Sequence, residues 1–170
     1  MRAALQSAGH NVFTPTLTGL GERSHLNSAA VDLSTHIADI VNLIKWEELS
    51  DVVLCGHSYA GCVITGAAHQ IPDRIRALVF LDAFVLENGE SFMDIVPSEV
   101  ARAVRDQAKA TGEGWKTNPI PAHILGVRDP HDVAWVDTQC TPQAIATFEE
   151  RIKLTGNFDH IQDISYNERD

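Results

Sequence analysis

The chain has 170 residues, with 13 Lys and Arg against 23 Asp and Glu and a formal net charge of −10. That balance argues against nucleic acid or an anionic membrane as a partner, since both demand a basic face. The apolar residues never run to the ~20 that a membrane span requires, because Asp82 interrupts the richest stretch.

A composition of 44% hydrophobic and 21% charged residues fits one globular domain with a core of its own. Cys55, Cys62 and Cys140 show no metal-ligand spacing, and the first residues lack an apolar leader. Reduced thiols in a cytoplasmic protein are therefore the expectation.

In chain order, the first ten residues read as the end of a helix, with Leu5 and Ala8 apolar and Gly9 as its stop. Val12-Phe13 is expected to open a short strand ending at Pro15. Residues 16–30 read as a loop in which Gly19 and Gly21 supply turns. A helix follows, with Ser34 as its expected cap. Its apolar face is Ile37, Ile40, Val41 and Ile44, at the spacing i, i+3, i+4, i+7. Val52–Cys55 reads as a buried parallel strand, 59–70 as a helix ended by Pro72, and Ala77–Leu81 as a second buried strand ending at Asp82. This alternation predicts an α/β fold with a parallel sheet, right-handed crossovers and a site at the C-terminal strand ends.

Beyond Glu87 the alternation stops. One helix is expected over 98–110, capped by Ser98 and stopped by Gly112. Another is expected over 142–154, with Thr141 as cap, Pro142 at its first position and a stripe of Ile145, Phe148 and Ile152. Between them, 113–140 has little periodicity. We read 1–86 as core, 87–155 as a lid, and 156–170 as the start of further core. Trp115, Trp135 and Phe148 either line a pocket under the lid or fasten it to the body.

The chemistry concentrates at Gly56-His57-Ser58-Tyr59-Ala60-Gly61. A serine at a sharp turn from strand to helix, flanked by small residues, is the nucleophile elbow pattern. The pattern departs from the usual form in carrying Ala60 at its last small position. The plainer alternative is a buried serine capping the following helix.

With Gly9-His10-Asn11-Val12-Phe13-Thr14-Pro15, Leu20-Gly21-Glu22-Arg23 and Leu81-Asp82-Ala83-Phe84, this elbow resembles the α/β-hydrolase superfamily. Within it, the likeness is to small esterases related to plant methyl-salicylate and methyl-jasmonate esterases and hydroxynitrile lyases, and to their bacterial relatives. The resemblance implies a serine hydrolase of small carboxylic esters, working without metal or organic cofactor. Ser58 is then the nucleophile and the Tyr59 backbone N–H one oxyanion donor.

The resemblance also implies a second donor from an upstream loop bearing a His-Gly pair, and an acid and a histidine downstream of the lid. No counterpart of that upstream strand or of the late histidine is found in the 170 residues, so the chain is expected to be an internal piece of a hydrolase, inactive alone.

Within it, Asp82 is a candidate acid or pocket-rim residue, and His160, beside Asp159, the candidate base. His57 is expected to point away from Ser58. His10, His36 and His69 are expected at the surface, and His123 and His131 in the lid. Asp129, His131 and Asp132 resemble a metal cluster only loosely, and solvated loop polarity is the expectation. A hydroxynitrile lyase and a non-catalytic truncated module are the alternative readings, with His57 favouring the esterase. The oligomeric state is left open.

Overall fold

In a computed structural model, the structure describes residues 1–154 and 161–166. Its centre is a three-stranded parallel sheet in the order β1 (Val52–Ser58), β2 (Ile75–Ala83), β5 (Gln162–Tyr166). The β-branched and apolar residues of β1 and β2 suit a pleated surface that is covered on one side.

Two helices cover that side, α2 (Leu33–Trp46) and α3 (Ala60–Gln70). Leu33, Ile37, Val41 and Ile44 of α2 meet Cys62, Val63, Ala67 and Ala68 of α3, and Leu78 and Phe80 of β2 complete the core. All of Gly61 to His69 is buried, because α3 lies between α2 and the sheet. Small residues make this possible: a methyl group at Gly66 would overlap the Ile37 side chain.

Other elements surround this core. Helix α1 (Arg2–Ser7) buries none of its residues, and a 3-10 turn spans Gly21–Leu26. After β2 come α4 (Phe92–Ile95), α5 (Ser98–Thr111), β3 (Lys116–Thr117), α6 (Pro130–Gln139), β4 (Gln143–Ala144) and α7 (Ala146–Glu149). Strands β3 and β4 pair antiparallel. No helix among the described residues is long and apolar enough to cross a membrane.

Several expectations are corrected. Residues 12–15 form no strand. The helix expected over 142–154 is broken into β4 and the four-residue α7. Its residues instead face different neighbours: Gln143 and Ala144 pair with β3, the Ile145 N–H donates to the Trp115 carbonyl, and Ile152 sits in the main core. The cap of α2 is Asp32, not Ser34; the Asp32 carboxylate accepts the Thr35 N–H at 2.8 Å, and the Thr35 hydroxyl returns the contact. Helix α5 begins at Ser98 after Pro97, without a side-chain cap. Part of the stretch 113–140 is helical, as α6. His36 and His69 are buried rather than superficial.

Candidate active site

Ser58 is the last residue of β1, and its φ of +53° lies in the left-handed region. A non-glycine residue seldom adopts that conformation unless its surroundings impose it. The surroundings here are two close approaches. A Cβ at Gly56 would stand 2.7 Å from the Ala60 carbonyl oxygen, and one at Gly61 would overlap the Phe84 carbonyl oxygen. The chain therefore turns from β1 straight into α3 within a space that admits no side chain at 56 or 61. The Phe84 N–H closes the turn by donating to the Ser58 carbonyl at 3.1 Å. Ala60 keeps its methyl group, so the small residue this geometry demands after the turn is Gly61.

Tyr59 is the first residue past the serine, already helical at φ −53° and ψ −31°. Its N–H thus belongs to the N-terminal end of an eleven-residue helix, where backbone donors and the helix dipole favour negative charge. Among the described residues, the Ser58 hydroxyl has no hydrogen-bond partner.

On the neighbouring strand, His57 pairs with Leu81 and Ser58 with Ala83, so the register skips Asp82. Asp82 is the extra residue of this bulge, exposed and at φ +40°. Ser58 and Asp82 accordingly share the C-terminal edge of two adjacent parallel strands. His57 is exposed on the sheet face opposite α3. The candidate base His160 lies outside the described residues.

The Tyr59 side chain turns into the protein. Its hydroxyl lies 2.9 Å from His36 Nδ1, while His36 Nε2 lies 2.9 Å from the Thr18 carbonyl oxygen. Burial pushes the Tyr59 hydroxyl well above its ordinary 10 and holds the His36 ring below its ordinary 6.5. The Tyr59 ring also meets Phe148 edge-on at 5.2 Å; Phe148 lies 4.9 Å from Phe92, and Phe92 4.7 Å from Phe84. This aromatic row joins the segment beyond Glu87 to the serine turn. Of the three aromatics singled out there in the sequence, only Phe148 takes part. Trp135 is 61% exposed, and Trp115 carries the Lys116 ammonium 5.1 Å from its ring centre.

His36, like His69, is buried where the sequence suggested the surface. A signal was present, since His36 stands three residues after Leu33 and one before Ile37, on the same helical face. Asp129, His131 and Asp132 do come together, with potential ligand atoms within 4.8 Å, but all are exposed. Asp129 already caps α6 by accepting the His131 and Asp132 N–H groups. A helix cap accounts for the cluster.

The chain belongs to the Alpha/beta hydrolase family, whose sequence profile matches residues 1–152. It is 46% identical over 162 residues to a carbendazim hydrolyzing esterase of Nocardioides sp. (strain SG-4G), covering 91% of this chain and 66% of that one. It is 27% identical over 169 residues to a putative chloroplastic methylesterase of Arabidopsis thaliana, covering 91% of this chain and 49% of the relative. Among solved structures, it resembles an extracellular alpha/beta-hydrolase from a Paenibacillus species described as structurally and functionally homologous to tobacco salicylic acid binding protein 2. That match has a TM-score of 0.80 at 27% identity, over 90% of this chain and 63% of the other. The chain thus spans from about half to two thirds of the length of these relatives.

Proposed function

We propose that this chain carries the nucleophile of a serine hydrolase acting on small carboxylic esters. The observation that carries the reading is the left-handed Ser58 at the β1–α3 turn, held by the close approaches at Gly56 and Gly61. A strained turn of this kind presents a hydroxyl at the sheet edge next to the free N–H groups of a helix start.

In the reaction, a base removes the Ser58 proton as Oγ attacks the ester carbonyl carbon. The carbonyl oxygen takes up negative charge and is met by the Tyr59 N–H. The bond to the alkoxy oxygen then breaks, the alcohol leaves with the proton, and water hydrolyses the acyl-serine. Asp82 belongs to the rim of this site, or serves as its acid. His160 remains the candidate base. We read residues 1–86 as the core and 87–155 as a lid; most of the further segment, 156–170, lies outside the described residues. The esterase and methylesterase relatives support an ester substrate.

The test, made on the full-length enzyme, is labelling by a fluorophosphonate probe. Ser58 is expected to be the one serine modified, and Ser58→Ala to abolish both labelling and p-nitrophenyl acetate hydrolysis. Full hydrolysis by Ser58→Ala would overturn the assignment.

A further inference from the structure

The His36–Tyr59 contact lies outside the chemistry just described, yet it touches the residue whose N–H would bind the oxyanion. His36 is completely buried. Its Nε2 faces the Thr18 carbonyl, which can only accept, so Nε2 carries the proton and donates. A neutral ring then has only a lone pair at Nδ1, and the Tyr59 hydroxyl must donate to it. The direction of both hydrogen bonds follows from the single fact that Thr18 offers a carbonyl.

Thr18 is itself held. Its N–H donates to Asp39 Oδ2 at 2.6 Å and its hydroxyl to Asp39 Oδ1 at 2.8 Å. Arg23 donates to the Thr18 hydroxyl at 2.9 Å and to the Thr16 carbonyl at 2.8 Å, and pairs with Asp39 at 3.3 Å. The Leu20-Gly21-Glu22-Arg23 motif thereby acquires a purpose: Arg23 makes the loop a rigid mount for the His36 ring. The chain of contacts runs Arg23, Asp39, Thr18, His36, Tyr59, and ends one peptide bond from Ser58.

We propose that His36 is a positioning residue for the oxyanion site, fixing through the Tyr59 hydroxyl the peptide plane that carries the Tyr59 N–H. This inference rests on the Ser58 and Tyr59 roles proposed above. A tyrosine side chain has only two rotatable bonds before a rigid ring. Held at its hydroxyl by His36 and at its edge by Phe148, it leaves Cα of Tyr59 little freedom. Donors at such a site act by being in place before charge develops, and errors of about 0.5 Å in their position are felt.

Turnover is measured in the full-length hydrolase, as wild type and as three variants. Tyr59→Phe keeps the ring against Phe148 and removes the hydroxyl. His36→Ala removes the acceptor. His36→Asn supplies a side-chain carbonyl that takes the Tyr59 hydrogen bond. Removing an oxyanion donor outright costs about 100- to 1,000-fold in kcat, so a loosened one is expected to cost about 10-fold. Tyr59→Phe and His36→Ala should therefore lower kcat for p-nitrophenyl acetate about 10-fold with KM within about twofold, and His36→Asn should recover most of the loss. Wild-type kcat in Tyr59→Phe, or kcat and KM altered alike in both variants, would overturn the positioning role.

A second readout needs no turnover. The chain has two tyrosines, so 3-fluorotyrosine gives two fluorine signals, and Tyr59→Phe assigns them. The Tyr59 signal is expected to shift in His36→Ala and to return towards its place in His36→Asn. A Tyr59 signal indifferent to both His36 variants overturns the hydrogen bond itself. A full-length wild-type enzyme that neither hydrolyses the ester nor takes up fluorophosphonate instead overturns the esterase reading, and with it the catalytic part of this inference.

Discussion

A buried imidazole ties stability to pH at the scale of one residue. Burial lowers the pKa of His36 below its ordinary 6.5; the Thr18 carbonyl and the Asp39 and Asp32 charges pull it back up, and Arg23 adds to the lowering. In the unfolded chain the ring takes its proton near 6.5. In the folded chain it does so only at a lower pH. Between those two values the unfolded state binds more protons, so stability falls as pH falls, by about 1.4 kcal/mol per pH unit for one proton. Above 6.5 the ring is neutral in both states and the effect is absent. Below the folded value the slope vanishes again. We expect urea midpoints of the wild type to drop between pH 7.5 and pH 5.5, and His36→Asn to lose a measurable share of that drop. An equal drop in the variant would assign it to other groups.

At the scale of elements, the readable parts of the sequence were those whose partners lie close in the chain. Helix α2 was legible from Ile37, Ile40, Val41 and Ile44, and α3, β1 and β2 from apolar runs bounded by Gly and Pro. The elbow was legible because Gly56 and Gly61 answer a local steric demand. Residues 12–15 have strand-like composition, yet pairing is a tertiary event that composition does not supply. Residues 142–154 carry a helical cap, a proline and a stripe, but several of them have distant partners in different elements. Gln143 and Ala144 belong to β4, while Glu150 reaches the N-terminus of α2, accepting from the Ser34 N–H and hydroxyl at 2.6 Å each. Such long-range ties override a local preference. The cap of α2 lies two positions before Ser34 for a related reason: Ser34 is a good cap by type, but Asp32 forms the reciprocal box with Thr35. Asp32→Ala should therefore destabilise the chain by about 1 kcal/mol, whereas Ser34→Ala removes a contact on an exposed surface and should cost less. Urea unfolding followed by far-ultraviolet circular dichroism separates the two, and a larger loss for Ser34→Ala would show that Glu150 rather than Asp32 holds the helix start.

Across the whole molecule, the two faces of the sheet differ. Leu54, Gly56, Leu78 and Phe80 face α3, and Leu78 and Phe80 are buried in the core. The alternate residues of β1, namely Val53, Cys55 and His57, are exposed, with Val53 at 52%. Among the described residues, β1 also pairs on one side only. Cysteine chemistry reads this asymmetry directly. Cys55 lies on the open face, Cys140 is exposed after α6, and Cys62 is buried in α3. The Cys62 thiol contacts the Phe84 carbonyl at 3.6 Å, and burial pushes its pKa up to about 12. The thiolate is the reactive form, so Cys62 should be inert in the folded chain. Partial burial also raises the pKa of Cys55, so it should react, but more slowly than an unhindered exposed thiol. With a disulfide reagent at pH 8, two of the three thiols are expected to react in the native chain and the third only in denaturant. Cys55→Ser should remove the slower native phase. Protection of Cys55 in the native chain, lost on dilution, would mean that copies of the chain cover this face of the sheet; fast reaction of Cys62 would mean that α3 does not pack against β2 as described.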